Sequence, residues 1–204
     1  NFTGLLDLPV DRPRLPVARS FGKAHFFHIP PEQSGNLHEY CRQHSIAPFV
    51  ALLTCFLVLL ARYSSQNRVV VGVPLTNRRQ DEDKDTMGCF INILPLAFEL
   101  HKDLTVLHAM HLVRRKLLQA HRNQETSFQD IVAAVHPPRE PSYNPIFQAG
   151  FTFEPPMELQ LTGVKVVSEK WHNQGAQLDL FLNIFEMSPG IRGYFEYNQD
   201  IFEQ

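Results

Sequence analysis

Cysteine is scarce: Cys41, Cys55 and Cys89 are the three thiols in 204 residues. They are odd in number and no pair has Cys-x-x-Cys spacing. That argues against a secreted disulfide scaffold and fits buried thiols in a reducing, cytoplasmic compartment. Glycine is sparse too, at 10 residues. Neither Gly-x-Gly-x-x-Gly nor Gly-x-x-x-x-Gly-Lys-[Ser/Thr] occurs, so nucleotide binding has no support in the sequence. An excess of charge of one sign is also missing. The 19 Lys and Arg against 21 Asp and Glu leave a net −2, and neither nucleic acid nor an anionic membrane is an expected partner. No apolar run reaches the ~20 residues of a membrane span. The longest, Phe49 to Ala61, is interrupted only by Thr54 and reads as a buried helix. A Gly-x-Ser-x-Gly nucleophile elbow is absent, and no two histidines are adjacent.

Phenylalanine and proline are plentiful, at 16 and 15 residues. Phenylalanines suit strands and thick cores, and prolines suit long connections between them. The chain starts at Asn1 rather than Met, with no basic stretch followed by an apolar leader, so the expectation is a piece of a longer protein without a signal peptide. Residues 1–22 hold Pro9, Pro13 and Pro16. They read as an extended connector, 23–204 being the lobe proper, and such a segment should bury little by itself.

Strand patterns follow at Lys23–Ile29 and at Arg68–Val73, the latter a β-branched run typical of a strand buried on both faces. Between them lie a polar helix from Pro31 to His44 and the apolar helix, with Ser45 as its expected N-cap and Pro48 in its first turn. Asn77–Asp85 is a charge cluster that reads as a solvated loop. Phe90–Leu100 is the next strand. A helix over Leu104–Ala120 should turn Leu104, Leu107, Met110 or His111, Leu117 and Leu118 inward, and a shorter helix covers Ser127–Val135. His136–Pro145 is too rich in proline to be regular. Strand patterns then close the chain at Phe147–Phe153, Leu159–Val167, Ala176–Phe185 and Ile191–Tyr197, with Met187–Gly190 as a hairpin loop. The fold class is α/β, a layered lobe on a mixed sheet.

Chemistry is harder to find. His25 and His28 point to opposite sides of a strand. His108 and His111 share a helical face but lack a third ligand, so no metal site is expected. Cys89 has no basic partner fixed by spacing and reads as a buried thiol. From the residues alone, this is a cytosolic α/β lobe with no self-contained active site.

Six stretches in series nevertheless resemble one family. Leu6–Pro13 resembles a linker that follows the family's first half. Val71–Arg78 resembles the strand and loop GxPxxNR, and Met87–Pro95 resembles GxFVNTLPL. Asn123–Val132 resembles HQDxPFExLV, and Arg139–Gln148 resembles RDxSRNPLFQ. Leu178–Leu180, with Arg192–Asn198, resembles the FDL strand and the GxxEYNTDLF ending. In this order they are similar to the C-terminal half of a nonribosomal peptide synthetase condensation domain. The departures are Asn123 for a usual histidine, Glu140 for aspartate and Tyr143 for arginine. The family's HHxxxDG motif and the helix after its EYNTDLF segment are both missing.

The resemblance implies a chloramphenicol acetyltransferase-like lobe, one of a V-shaped pair, in an enzyme that joins an acyl or peptidyl thioester to an aminoacyl amine. It implies no catalytic residue in this chain and no directly bound cofactor, since phosphopantetheine arms would arrive on carrier proteins. Implied partners are the N-terminal lobe, donor and acceptor carriers and an adjacent adenylation domain. Arg78 would pair with the Asp of HHxxxDG. Asn92 and Asn144 would face the cleft or support its loops, and Arg139 would tie its turn to a carboxylate. Gly88 would serve a positive φ or a close approach. Asp179, costly if buried alone, would need an arginine or backbone partner. A heterocyclisation lobe, an epimerisation lobe and a non-catalytic carrier-docking lobe are the alternatives. An epimerisation domain would carry a GYG-type element, which Gly193-Tyr194-Phe195 does not supply.

Overall fold

A computed structural model of the chain describes residues 5–78, 81–154, 163–164, 171–187 and 190–203. The elements are β1 (Gly22–Ile29), α1 (Pro31–Gln43), α2 (Pro48–Ser64), β2 (Arg68–Thr76), α3 (Asp81–Lys84), β3 (Ile91–Glu99), α4 (Val106–Arg122), α5 (Phe128–Val135), β4 (Ala149–Glu154), β5 (Leu180–Glu186) and β6 (Ile191–Asn198). The strands form one mixed sheet in the order β1-β6-β5-β4-β2-β3. β4 runs parallel to both its neighbours, and the remaining pairs are antiparallel. This is the mixed α/β architecture that the sequence pattern predicts.

Register divides the sheet into two unlike faces. Val69, Val71 and Val73 of β2 lie opposite Phe98, Leu96 and Leu94 of β3, and the same face continues through Ala149, Phe151, Leu182 and Ile184. Against this face sits α2, whose Leu53, Phe56, Leu57 and Leu60 are buried. α4 adds Ala109, Met110 and Val113. Phe49 and Phe56 pack on the Phe151 ring at centroid distances of 5.2 and 6.1 Å. Fully burying each such side chain contributes about 1.5–3 kcal/mol, so this layer holds most of the stability. The opposite face carries a smaller buried group, Val70, Ile146 and Phe147, covered by α5 through Phe128, Ile131 and Val132.

Helix ends follow local chemistry, with one departure. Thr105 and Ser127 cap α4 and α5 by accepting from the backbone N–H of His108 and Asp130. α2 is not capped by Ser45: its N-cap is Ala47, with no side-chain bond, and Pro48 takes the first helical position. Ser45 instead adopts φ 53° in the link from α1, which turns its side chain out of capping position. On α4, Met110 rather than His111 is buried, and Leu118 is exposed because it lies beyond the edge of the stripe that meets α2 and β3.

The N-terminal segment is extended but does not lie idle. Leu6 and Leu8 enter the main core, and the Leu6 N–H donates to the side chain of Gln148, which is wholly buried, at 2.7 Å. The thiols also depart from expectation: Cys41 is buried, but Cys55 and Cys89 are exposed. Burial, followed by the nearby Cys55, pushes the Cys41 thiol above its ordinary pKa. The charge cluster contains one helical turn, α3. β5 starts at Leu180, because Ala176–Asp179 approach it as bend and coil. The strand expected over Leu159–Val167 lies almost wholly outside the described residues. Among the described residues no single helix is long and apolar enough to cross a membrane.

Candidate functional site: a cleft on the open face of the sheet

The face away from α2 is shaped by two glycines. Gly72 of β2 and Gly150 of β4 are neighbours in register. A Cβ on Gly72 would stand 2.3 Å from the Phe147 ring, and one on Gly150 would stand 2.5 Å from the Phe181 ring. Both rings therefore press close against backbone, an approach that only glycine permits. Phe128 of α5 packs on Phe147 at 5.3 Å. These rings, with Ile93, Pro145 and Leu178, wall a cleft of about 280 Å³.

Its polar lining comes from Asn144, Gln177, Asn183 and Glu196. Asn183 and Glu196 lie on adjacent strands, with Glu196 opposite Phe181 and Asn183 opposite Tyr194. The Glu196 carboxylate is held by His172 Nε2 at 3.0 Å. His172 Nδ1 accepts from the Gln174 backbone N–H at 3.2 Å. An Nδ1 that accepts carries no proton, so the tautomer is fixed and Nε2–H donates to Glu196. Tyr194 stacks on Phe185 at 5.8 Å and meets Phe26 at a tilt, at 5.2 Å. Burial first, then the Glu196 and Glu154 carboxylates, hold its hydroxyl above the ordinary tyrosine pKa.

A wider groove of about 910 Å³ runs alongside, between α5 and the proline-rich segment 136–145, and shares Phe128 and Pro145 with the cleft. The wall between them is tightly bonded. Gln148 donates to the Asn144 carbonyl at 2.9 Å, and Asn144 Nδ2 donates to the Gln177 carbonyl. Ile146 has φ 71° while the Phe147 N–H bonds back to the Pro145 carbonyl at 2.9 Å. A β-branched residue in that region is a strained turn centre, sited where the two hollows meet.

The residues singled out in the sequence fall into three places. Arg139 lines the groove and Asn144 the cleft, and Asp179 connects to the groove wall through Arg14 and Tyr143. Asp179 is buried and receives a two-pronged contact from Arg14, one prong at 2.9 Å, and Arg14 in turn lies 4.0 Å over the Tyr143 ring. Burial opposes the Arg14 charge, but Asp179 outweighs it, so the guanidinium pKa is raised. Tyr143, the position where the resemblance places an arginine, is thus the platform for an arginine from the N-terminal segment. Asp179 precedes β5 rather than lying on it, and its carbonyl accepts from the Asn198 N–H at 3.0 Å. Arg139 is exposed in the groove lining, and among the described residues no carboxylate pairs with it. The turn it precedes is held by proline and by the Tyr143 N–H, which donates to the Glu140 carbonyl at 3.1 Å.

Arg78 and Gly88 meet elsewhere, in the loop after β2. Arg78 donates to the carbonyls of Asp83, Thr86 and Gly88 and lies 4.2 Å over Phe90. It fastens this loop from inside. Gly88 is not among the residues with positive φ, and an added Cβ would meet only the Phe90 ring edge at 3.3 Å. Its carbonyl, rather than its freedom, serves the loop. Asn92 stands apart as well, donating at 2.8 Å to the carbonyls of both Gln124 and Thr126 and so joining β3 to the α4–α5 turn.

Arg14, Asn183, His172 and Glu196 are the residues that sequence reasoning passes over. One signal for Glu196 exists: it alternates with Phe195 and Tyr197, so its side chain faces away from the helix-covered face in a strand otherwise rich in apolar residues. Among the described residues no three His, Cys, Asp or Glu side chains converge as a metal site.

The family model described as Condensation domain matches residues 1–204. One of the linear gramicidin synthase proteins of Brevibacillus parabrevis is 34% identical over 203 residues, an alignment that takes in 98% of this chain and 3% of the relative's own length. Malpinin synthetase of Mortierella alpina is 32% identical over 203 residues, again 98% of this chain and 3% of its own. The chain thus spans a small fraction of both relatives. Among solved structures, a four-domain nonribosomal peptide synthetase bound to AMP and glycine superposes with a TM-score of 0.88 at 25% identity, over 98% of this chain and 16% of that one. The X-domain from teicoplanin biosynthesis has the same fold, with a TM-score of 0.84 at 20% identity over 97% of this chain and 46% of its own. A mixed sheet that bears a cleft beside α5 on the face away from α2, in a chain that the family model matches over residues 1–204, makes this chain a member of the condensation domain family.

Proposed function

We propose that this chain is the C-terminal lobe of a condensation domain that forms an amide bond between a carrier-bound acyl or peptidyl thioester and a carrier-bound aminoacyl amine. The observation that supports it is the ratio of lengths: 97% of the chain falls on 46% of a single-domain relative. One lobe of a two-lobed domain accounts for that ratio. The open face of the sheet then meets the partner lobe, and the cleft becomes one wall of the reaction chamber. Phosphopantetheine arms deliver both substrates from carrier domains, at effective concentrations of roughly millimolar, so the chamber orients groups that it binds weakly. Asn144, fixed on both sides by hydrogen bonds, keeps that wall rigid. The imidazole that handles the amine proton belongs to the other lobe.

The test is carrier-loaded turnover followed by mass spectrometry of the tethered product. The parent synthetase should yield the amide, and residues 1–204 alone should give no product above uncatalysed aminolysis. Product from the isolated chain overturns the half-domain reading, and none from the parent overturns the reaction.

A further inference from the structure

The cleft has a charge preference that its place in a condensation domain does not by itself assign. Among the described residues that line it, Glu196 carries the one formal charge, and no lysine or arginine faces it. We infer that the cleft is a subsite for an ammonium group borne on an apolar stem, with Glu196 as its counter-ion and the Asn183 side chain as a second acceptor.

Three features support this. The first is the fixed state of His172. Its Nδ1 accepts from the Gln174 N–H, so the ring meets Glu196 through a single Nε2–H donor at one carboxylate oxygen. A carboxylate in a hollow walled by phenylalanines is poorly solvated, and a cationic partner relieves that cost. The second is spacing. Asn183 and Glu196 are diagonal neighbours on one face of paired strands, a separation of about 7–8 Å across the strand pair that side chains can close. An ammonium, with its three donors, can bridge groups so placed. The third is the wall chemistry. Phe128, Phe147 and Phe181 suit a hydrocarbon stem and tolerate a nearby cation. An anion would meet Glu196 head-on. A divalent metal would find a single carboxylate, short of the ligand set it requires.

The reading deepens the proposed function only in one respect: within a condensation domain, the ammonium belongs to an aminoacyl group, on its α-carbon or its side chain. The charge preference stands on the cleft alone. The test is an NMR titration of the full chain with benzylammonium and with benzyl alcohol, which share a stem and differ in charge. Benzylammonium should shift the Asn183 side-chain amide and bind about tenfold tighter than the alcohol, as a charge-assisted contact predicts. Glu196→Gln keeps shape and the His172 bond, and it should bring the two ligands to equal affinity. Equal affinity in the unaltered chain overturns the inference without any variant, as does an ammonium preference that persists in a folded Glu196→Gln. Failure here leaves amide formation by the parent untouched. Failure of turnover, with the preference intact, strikes the function and spares the subsite.

Discussion

The two faces of the sheet are stabilised by different means. The covered face relies on area: valines, leucines and phenylalanines from β2, β3, β4 and β5 meet α2 and α4 with almost no polar contact. Hydrophobic burial is non-directional, so many side chains would serve there. The open face relies on placement. Two glycines admit two close-set rings, one arginine meets one buried carboxylate, and one amide chain links Gln148, Asn144 and Gln177. A face built this way keeps an accessible hollow without collapsing, because its few contacts are directional and already satisfied.

Six substitutions sharpen or break that contrast. Phe151→Ala, on the covered face, should cost about 3–5 kcal/mol in denaturant unfolding, as deletions of buried aromatics do. Phe181→Ala, one strand away on the cleft, should cost clearly less, and equal losses would erase the distinction between faces. Arg14→Met should cost nearly as much, about 3–5 kcal/mol, by leaving Asp179 buried without its cation. Adding Asp179→Leu to Arg14→Met should restore most of the loss. A double variant no better than the single would place the damage in packing instead. Gly150→Ala should cost about 1–3 kcal/mol, because its methyl group displaces the Phe181 ring, with the change visible as broadened or shifted cleft resonances. Smallest is Arg78→Ala. Its contacts are to neutral carbonyls near the surface, so roughly 0.5–1.5 kcal/mol is expected in thermal unfolding. In the parent synthetase, a much larger fall in turnover than in stability would give Arg78 a task outside this chain.

Much of the covered face is legible in sequence, because the continuous β-branched run Arg68–Val73 and the almost unbroken apolar run Phe49–Ala61 are local signals that burial then obeys. The need of Asp179 for a partner is also legible, from the cost of an isolated buried charge. The identity of that partner is not, since Arg14 stands 165 residues away and no local rule spans that distance. The glycine pair escapes for a similar reason: Gly72 and Gly150 become one feature only when β2 and β4 pair in parallel. Ser45 misleads because a good capping side chain is useless when its own backbone turns left-handed. Cys89 and Leu118 mislead because apolar character predicts burial only where an element has a neighbour on that side.

The N-terminal segment sets where this structural unit begins. A polypeptide started at Lys23 would forfeit Leu6, Leu8 and Arg14 together. Gln148 would lose the backbone group that satisfies its oxygen, and Asp179 would sit desolvated with no counter-charge. What looks in sequence like a dispensable leash is therefore a strap cinched around the base of the sheet, and trimming it would loosen the floor beneath the cleft before touching the cleft itself.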